Sequence, residues 1–425
     1  MEDFMALVNK KMDMTPFDMR EKPAKQWPPL AFLLWIASYF LTGGKKMKRE
    51  KINMEKCKPP YLVISTHQGF SDYFIVPRML FPHRANYVSD MEGFAGYGKW
   101  AYKHGGCIGK RRYVSDISVL SNIRYALQKL KQSVVIFPEA RHADAGVTSS
   151  LPKNLGKLSK MLDVPVVTIS INGSYLANPF WDETRGRKVP FQASMECLFT
   201  REELRKKSEK EIQEAIEKKL EYNEYEWQKL QGIKISEPFR AEGLHLPLYK
   251  CRECGCEGQT VSSGAELSCK KCGASWTLLE NGELESAKDK TRISIPEWYR
   301  WERDCLRKEI SDGAYRGIDV PVRIEALPNH KGFVPFGEGR LIHDMRGYTL
   351  ILNGTPPKGT RDSFPLFIDN RTLGSTQTEY NYRNRGKCIV LSTRDCCYYA
   401  YSDSPDFLVT KLEFAVEEMR KIARD

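Results

Sequence analysis

The sequence is short of long apolar runs. Its most apolar early stretch, LAFLLWIASYFL at 30–41, covers twelve residues. As a helix it would reach about 18 Å, against a hydrocarbon core of about 30 Å, so it cannot span a bilayer alone. The first residues, MEDFMALVNKKMDMTPFDMREK, mix charges and lack the apolar centre of a signal peptide. Without a secretory signal the expected compartment is the reducing cytoplasm, which excludes a disulfide framework for the twelve cysteines. No segment is biased enough in composition to be disordered, and no repeat recurs at a fixed period. The hydrophobic fraction of 41% and charged fraction of 28% are those of an ordinary folded protein.

What is present begins with charge. The formal net charge of +12 on 425 residues points to an anionic partner, with nucleic acid, an anionic membrane and phosphorylated small molecules all open at this level. Lys45, Lys46, Lys48, Arg49 and Lys51 follow the 30–41 run at once. An apolar, Trp-containing segment beside clustered cations suits a helix lying in the membrane interface. A buried core helix with a solvated basic face is the alternative, and both stay open.

The length predicts two or three domains. YLVIST at 61–66, SVVIFP at 133–138 and VPVVTISI at 164–171 are continuous apolar runs, the pattern of strands buried on both faces. Helical stretches near 116–131 and 154–162 lie between them. This alternation predicts an α/β domain with a mostly parallel sheet flanked by helices. Residues 201–231, charged and free of Pro and Gly, read as one long solvated helix ended by Gly232. After a cysteine cluster and a helix at 295–310, short β-type runs such as YTLIL at 348–352, PLFID at 365–369 and KCIVLST at 387–393 precede an amphipathic helix at 406–423. Strands closed by one helix would suit a small barrel of the pleckstrin-homology type, an analogy from element order. The expected segments are an interfacial N-terminus (1–50), a catalytic α/β domain (51–245), a small metal ribbon (246–290) and a helix plus β-rich domain (291–425).

Four blocks carry chemistry. The first is His67-Gln-Gly-Phe-Ser-Asp72, just past the first buried strand, where α/β sheets place reactive groups. A carboxylate on one imidazole nitrogen fixes the tautomer and leaves the other as a base, although Ser71 or Asp72 could equally cap a helix. The second is Gly105-Gly-Cys-Ile-Gly-Lys-Arg-Arg112, with glycines for close backbone approach and compact cations for a phosphate, or simply a turn with surface cations. The third, Phe137-Pro-Glu-Ala-Arg-His142, holds Glu139 and Arg141, awkward as buried charges without each other or a ligand. The fourth, Val164-Pro-Val-Val-Thr168, opens the third strand and on its own is plain core.

Together, and in this order, the blocks resemble the glycerol-phosphate and lysophosphatidate acyltransferase family, whose pattern is H-x-x-x-x-D, a glycine segment ending in Arg, F-P-E-G-T-R, and V-P-[IV]-x-P. The resemblance covers about residues 50–200. It implies an O-acyltransferase in which His67 is the general base, Asp72 orients it, Arg112 or the adjacent Arg111 binds the acceptor phosphate, and Glu139 and Arg141 bind the acceptor. Acyl-CoA or acyl carrier protein would be the donor, and a glycerol-phosphate or lysophospholipid the acceptor, at the inner face of the membrane. Two departures fall on the later blocks. Ala140 stands where the family has Gly and Arg141 follows directly, and Thr168 replaces the second Pro. The third block shapes the acceptor pocket in that family, so the departure there bears on which acceptor is bound. Backbone amides at the helix start after His67 could stabilise the oxyanion, with no single residue assigned, and an acyl-cysteine route through Cys107 lacks an adjacent base.

Cys251-Arg-Glu-Cys254-Gly-Cys256 and Cys269-Lys-Lys-Cys272 match a four-cysteine zinc ribbon, two C-x-x-C knuckles separated by fourteen residues. Cys251, Cys254, Cys269 and Cys272 are the expected ligands, with Cys256 a spare able to replace Cys254. Four thiolates leave no open position, so the zinc would be structural. The rival functional class is a zinc-ribbon module binding nucleic acid or protein, or a scaffold that keeps the fold without the catalysis. The basic residues are interspersed with acids and no aromatic-rich recognition motif occurs, so no nucleic-acid partner is expected.

Overall fold

A computed structural model describes residues 13–95, 98–182 and 186–423. The N-terminal domain is built on a seven-stranded sheet of β1 (Lys48–Ile52), β2 (Leu62–Ser65), β3 (Ala85–Asp90), β4 (Cys107–Lys110), β5 (Ser133–Ile136), β6 (Val166–Asn172) and β7 (Gln192–Phe199), in the order β1-β7-β6-β2-β5-β3-β4. Every neighbouring pair is parallel except β6 and β7. The central strands are continuously apolar because both faces are covered. Leu62, Ile64, Val134, Ile136 and Val166 pack on one face against Val119, Ile123, Leu162, Ile212 and Ile216. Val63, Val135, Val167 and Ile169 pack on the other against Ile75, Val76 and Met79.

Before the sheet lies α1 (Pro28–Leu41), and from the end of β2 the chain turns through His67 into α2 (Asp72–Leu80). No helix among the described residues is long and apolar enough to cross a membrane. The segment expected as one long helix is instead three, Arg201–Lys206, Glu209–Leu220 and Glu224–Leu230. Each has its own cap. Thr200 and Ser208 form capping boxes with Glu203 and Glu211, and the Asn223 side chain accepts from the amides of Tyr225 and Glu226. Side chains that bond to the backbone this way offer it an alternative to continued helix.

The cysteine segment is larger than a bare pair of knuckles. Five antiparallel strands, β8 (Thr260–Ser263), β9 (Glu266–Cys269), β10 (Ser275–Leu278), β11 (Glu283–Ser286) and β12 (Arg292–Ser294), form a meander. Leu267, Trp276, Leu278 and Leu284 share one core with Trp298 and the C-terminal domain. That domain has seven antiparallel strands, β13 (Ile318–Leu327), β14 (Val334–His343), β15 (Gly347–Leu352), β16 (Leu366–Asp369), β17 (Gln377–Glu379), β18 (Cys388–Ser392) and β19 (Cys397–Tyr401), in the order β16-β15-β14-β13-β19-β18-β17. A helix, Ile295–Ser311, precedes it, and another, Val409–Ile422, closes it.

Candidate active site

His67 sits at the end of β2, 5% exposed, and its Nδ1 lies 3.2 Å from Asp72 Oδ2. The same carboxylate oxygen accepts the amides of Gln68 at 2.6 Å and Gly69 at 3.1 Å. Asp72 thus folds back on the turn that carries His67, and Ser71, at the helix N-cap, makes no side-chain capping bond. The turn is tied down further. The His67 amide donates to Glu139 Oε1 at 2.9 Å, and Gln68 Nε2 donates to the Ile171 carbonyl at 2.6 Å. One expectation narrows here. The amides of Gln68 and Gly69 are taken up by Asp72 and cannot also serve as oxyanion donors.

The other nitrogen, Nε2, faces the Tyr73 hydroxyl at 3.5 Å. Phe137 lies against the imidazole ring at 4.4 Å between centroids, and His142 approaches it edge-on at 4.5 Å and 77°. His142 in turn contacts Phe180 at 5.8 Å, and Phe180 contacts Tyr380 of the C-terminal domain at 5.5 Å. The His67 imidazole therefore lies in an aromatic pocket with the C-terminal domain at its far wall.

Glu139 uses both carboxylate oxygens on the fold around His67, accepting from the His67 amide, the Ser149 amide and the Tyr222 hydroxyl. Burial nonetheless pushes its carboxyl up to about 7, against these three bonds. Ala140 beside it has φ +59°, the left-handed region that glycine enters freely, so the family's Gly at this position has a backbone reason. Arg141 does not pair with Glu139. Its guanidinium meets Asp144 at 2.8 Å, Glu413, and Glu417 at 3.5 Å, fastening the last helix to the turn after β5.

The two arginines expected at the acceptor phosphate are also engaged. Arg111 donates to the carbonyls of Arg394 at 2.6 Å, Pro328 at 2.9 Å and Asp395 at 2.9 Å. Arg112 bonds Asp90 through Nε at 2.7 Å, with Glu92 at 3.8 Å and Glu379 at 3.9 Å. Burial and the neighbouring Glu92 push Glu379 up to about 8, with Arg112 opposing. Cys107 is no nucleophile in this setting, since burial holds its thiol up at about 12.

Residues 43–172 match the acyltransferase family model. The likeness to that family therefore lies in the N-terminal part of the chain. The matched span holds all four sequence blocks entire and contains His67, Asp72, Arg112 and Glu139. Among solved structures the chain is similar to the 1-acyl-sn-glycerophosphate (LPA) acyltransferase PlsC from Thermotoga maritima, at 17% identity over 44% of this chain and 79% of that one. The TM-score is 0.32, too low to bear on the fold. No curated protein matches the chain.

The cysteine sulfurs converge at one point of the ribbon. Those of Cys251, Cys254, Cys256 and Cys269 all lie within 4.8 Å of one another, a group that could hold a metal ion. Cys272, outside that group of four, lies 3.7 Å from Cys251. Zinc with sulfurs at about 2.3 Å in a tetrahedron requires S···S edges of about 3.8 Å. Cys251–Cys272 at 3.7 Å and Cys254–Cys269 at 3.8 Å fit that edge, whereas Cys256 lies closer, 3.1 Å from Cys254 and 3.4 Å from Cys269. The two knuckles are also alike in backbone. The amides of Glu253 and Cys254 point at the Cys251 sulfur as those of Lys271 and Cys272 point at Cys269, with Gly255 and Gly273 at φ +70° and +74°.

Nothing in the sequence marked Tyr73, Tyr222, Phe180 or Tyr380 for this site. His142 lay inside a block already singled out, and its distinguishing signal was that the block ends in an imidazole.

Proposed function

We propose that the protein is an O-acyltransferase that moves a fatty acyl group from acyl-CoA or acyl carrier protein to a hydroxyl of a glycerol-phosphate or lysophospholipid acceptor. The single observation that carries this reading is the His67–Asp72 contact at a strand end inside the acyltransferase-family span. Asp72 holds Nδ1 protonated, so Nε2 is free to accept the proton of the acceptor hydroxyl as its oxygen attacks the thioester carbon. The thiolate then leaves and recovers that proton from His67.

Arg112 is the acceptor-phosphate ligand in this reading. It stands among groups that can yield, because Glu379 is readily protonated near neutral pH and a protonated acid gives up its hold on a guanidinium. Arg111, Glu139 and Arg141 shape the acceptor pocket through the backbone they brace. Cys251, Cys254, Cys269 and Cys272 hold a structural zinc with a closed thiolate shell, supported by the two matching edges and the paired knuckles. The C-terminal domain is of the pleckstrin-homology type, a reading supported by its seven antiparallel strands and closing helix.

The protein works at the cytoplasmic face of the membrane as a peripheral enzyme. Support comes from α1, where Leu33 is 60% and Phe40 72% exposed, hard to reconcile with a buried core helix. Asp72→Asn tests the mechanism, because it keeps the shape of the side chain but removes the carboxylate charge beside Nδ1. Turnover should fall by about 100-fold or more with the fold intact. Unchanged turnover would remove Asp72 from the mechanism.

A further inference from the structure

The reaction develops negative charge on the thioester oxygen, yet the nearest amides are occupied. The His67 amide is held by Glu139, and those of Gln68 and Gly69 by Asp72. Three amides of the turn are thereby spent, and one side chain in the pocket has no assigned work. The His142 ring sits 4.5 Å from that of His67 and 6.2 Å from that of Tyr73, and among the described residues no protein group is shown hydrogen-bonded to it. Its side chain is partly buried. Burial, His67 and Arg112 all disfavour its charged form, holding it well below the ordinary histidine value. A neutral imidazole still carries one N–H, which needs an acceptor. Its position is set by the turn after β5, where Ala140 takes the left-handed conformation and Arg141 is locked to the last helix.

We propose that His142 donates a ring N–H to the donor's thioester carbonyl oxygen as that oxygen becomes an oxyanion. The inference rests on the acyl-transfer reading above. In the first step the acceptor O–H bond breaks, its proton goes to His67 Nε2, the new C–O bond forms, and the carbonyl π pair moves onto the oxygen that His142 faces. In the second the C=O bond re-forms, the C–S bond breaks, and the thiolate takes the proton from His67. His142 gives up no proton in either step. A neutral donor suits this role, since a charged imidazolium beside His67 would oppose the charge that His67 acquires.

The test compares His142→Phe, which keeps the ring packing, with His142→Gln, which keeps an N–H donor, in the full-length protein. His142→Phe should lower kcat by about 100-fold or more while the KM of each substrate changes little, and His142→Gln should recover part of the loss. Two unreactive donor analogues separate this from a packing role. A trifluoromethyl ketone, whose hydrate carries a tetrahedral oxygen, should bind His142→Phe weaker by a factor comparable to the kcat loss. A thioether without the carbonyl should bind both proteins alike. Full kcat in a folded His142→Phe protein overturns the inference, as does equal weakening of both analogues. If the wild type transfers no acyl group, or His67→Ala transfers as well as wild type, the acyl-transfer reading itself fails. An inactive His67→Ala beside a fully active His142→Phe removes only the role of His142.

Discussion

One oxygen of Asp72 does two things at once, meeting His67 Nδ1 and gathering the amides of Gln68 and Gly69, so the turn and the imidazole are held by the same charge. Arg112 shows the opposite arrangement, a cation among Asp90, Glu92 and Glu379. An acceptor phosphate must compete with these carboxylates, and the outcome depends on pH. Glu379, raised to about 8, is mostly neutral below that value and competes weakly. As pH rises through 8 it ionises, strengthens its hold on Arg112 and repels the phosphate. The acceptor KM should therefore climb above pH 8 in the wild type and much less in Glu379→Gln, while Arg112→Ala raises it by about tenfold or more at every pH. Steady-state kinetics from pH 6.5 to 9.5 check this, and identical profiles for wild type and Glu379→Gln would place the phosphate elsewhere. His67 and Asp72 were legible because their spacing and strand-end position are local in sequence. The partners of Arg112 were not, since Glu379 lies far along the chain and only tertiary packing brings it near.

At the scale of elements, the buried strands were legible because continuous apolar runs have one explanation in a sheet covered on both faces. The breaks in 201–231 were missed although two S/T-x-x-E boxes, Thr200–Glu203 and Ser208–Glu211, stand in the sequence; the charge pattern hid them. α1 was ambiguous because twelve apolar residues suit either a core or an interface, and the difference lies in what covers the outer face. Leu33 and Phe40 point away from the protein. Inserting such side chains into a bilayer contributes roughly 1.5–3 kcal/mol each. Leu33→Ser with Phe40→Ser should weaken binding to anionic vesicles by at least about tenfold, and added salt should weaken the wild type. Vesicle flotation measures both, and undiminished binding by the double variant would move membrane contact to another surface. In the ribbon, elemental analysis should find one zinc per chain. Cys272→Ser should lower its affinity far more than Cys256→Ser, because Cys272 completes the paired knuckles. The reverse order would make Cys256 the fourth ligand.

For the whole molecule, the N-terminal α/β domain and the C-terminal domain are joined by buried polar contacts. Arg111 reaches carbonyls at Pro328, Arg394 and Asp395, Arg141 reaches Glu413 and Glu417, and Tyr299 donates to Asp144 at 3.2 Å. Removing one partner of a buried ion pair leaves the other uncompensated, so the two domains depend on each other and the site is complete only in the full chain. None of this coupling was legible, because no local pattern tells which distant carbonyl or carboxylate a given arginine will meet. The account stands or falls on His67 acting as the base. The most direct measurement is transfer of a labelled acyl group, from acyl-CoA or acyl carrier protein to glycerol-phosphate and lysophosphatidate in anionic vesicles, by full-length wild type and His67→Ala. The account predicts transfer by the wild type and a loss of about 100-fold or more in a His67→Ala protein that unfolds at the same temperature. Near-normal turnover by that folded variant would contradict it.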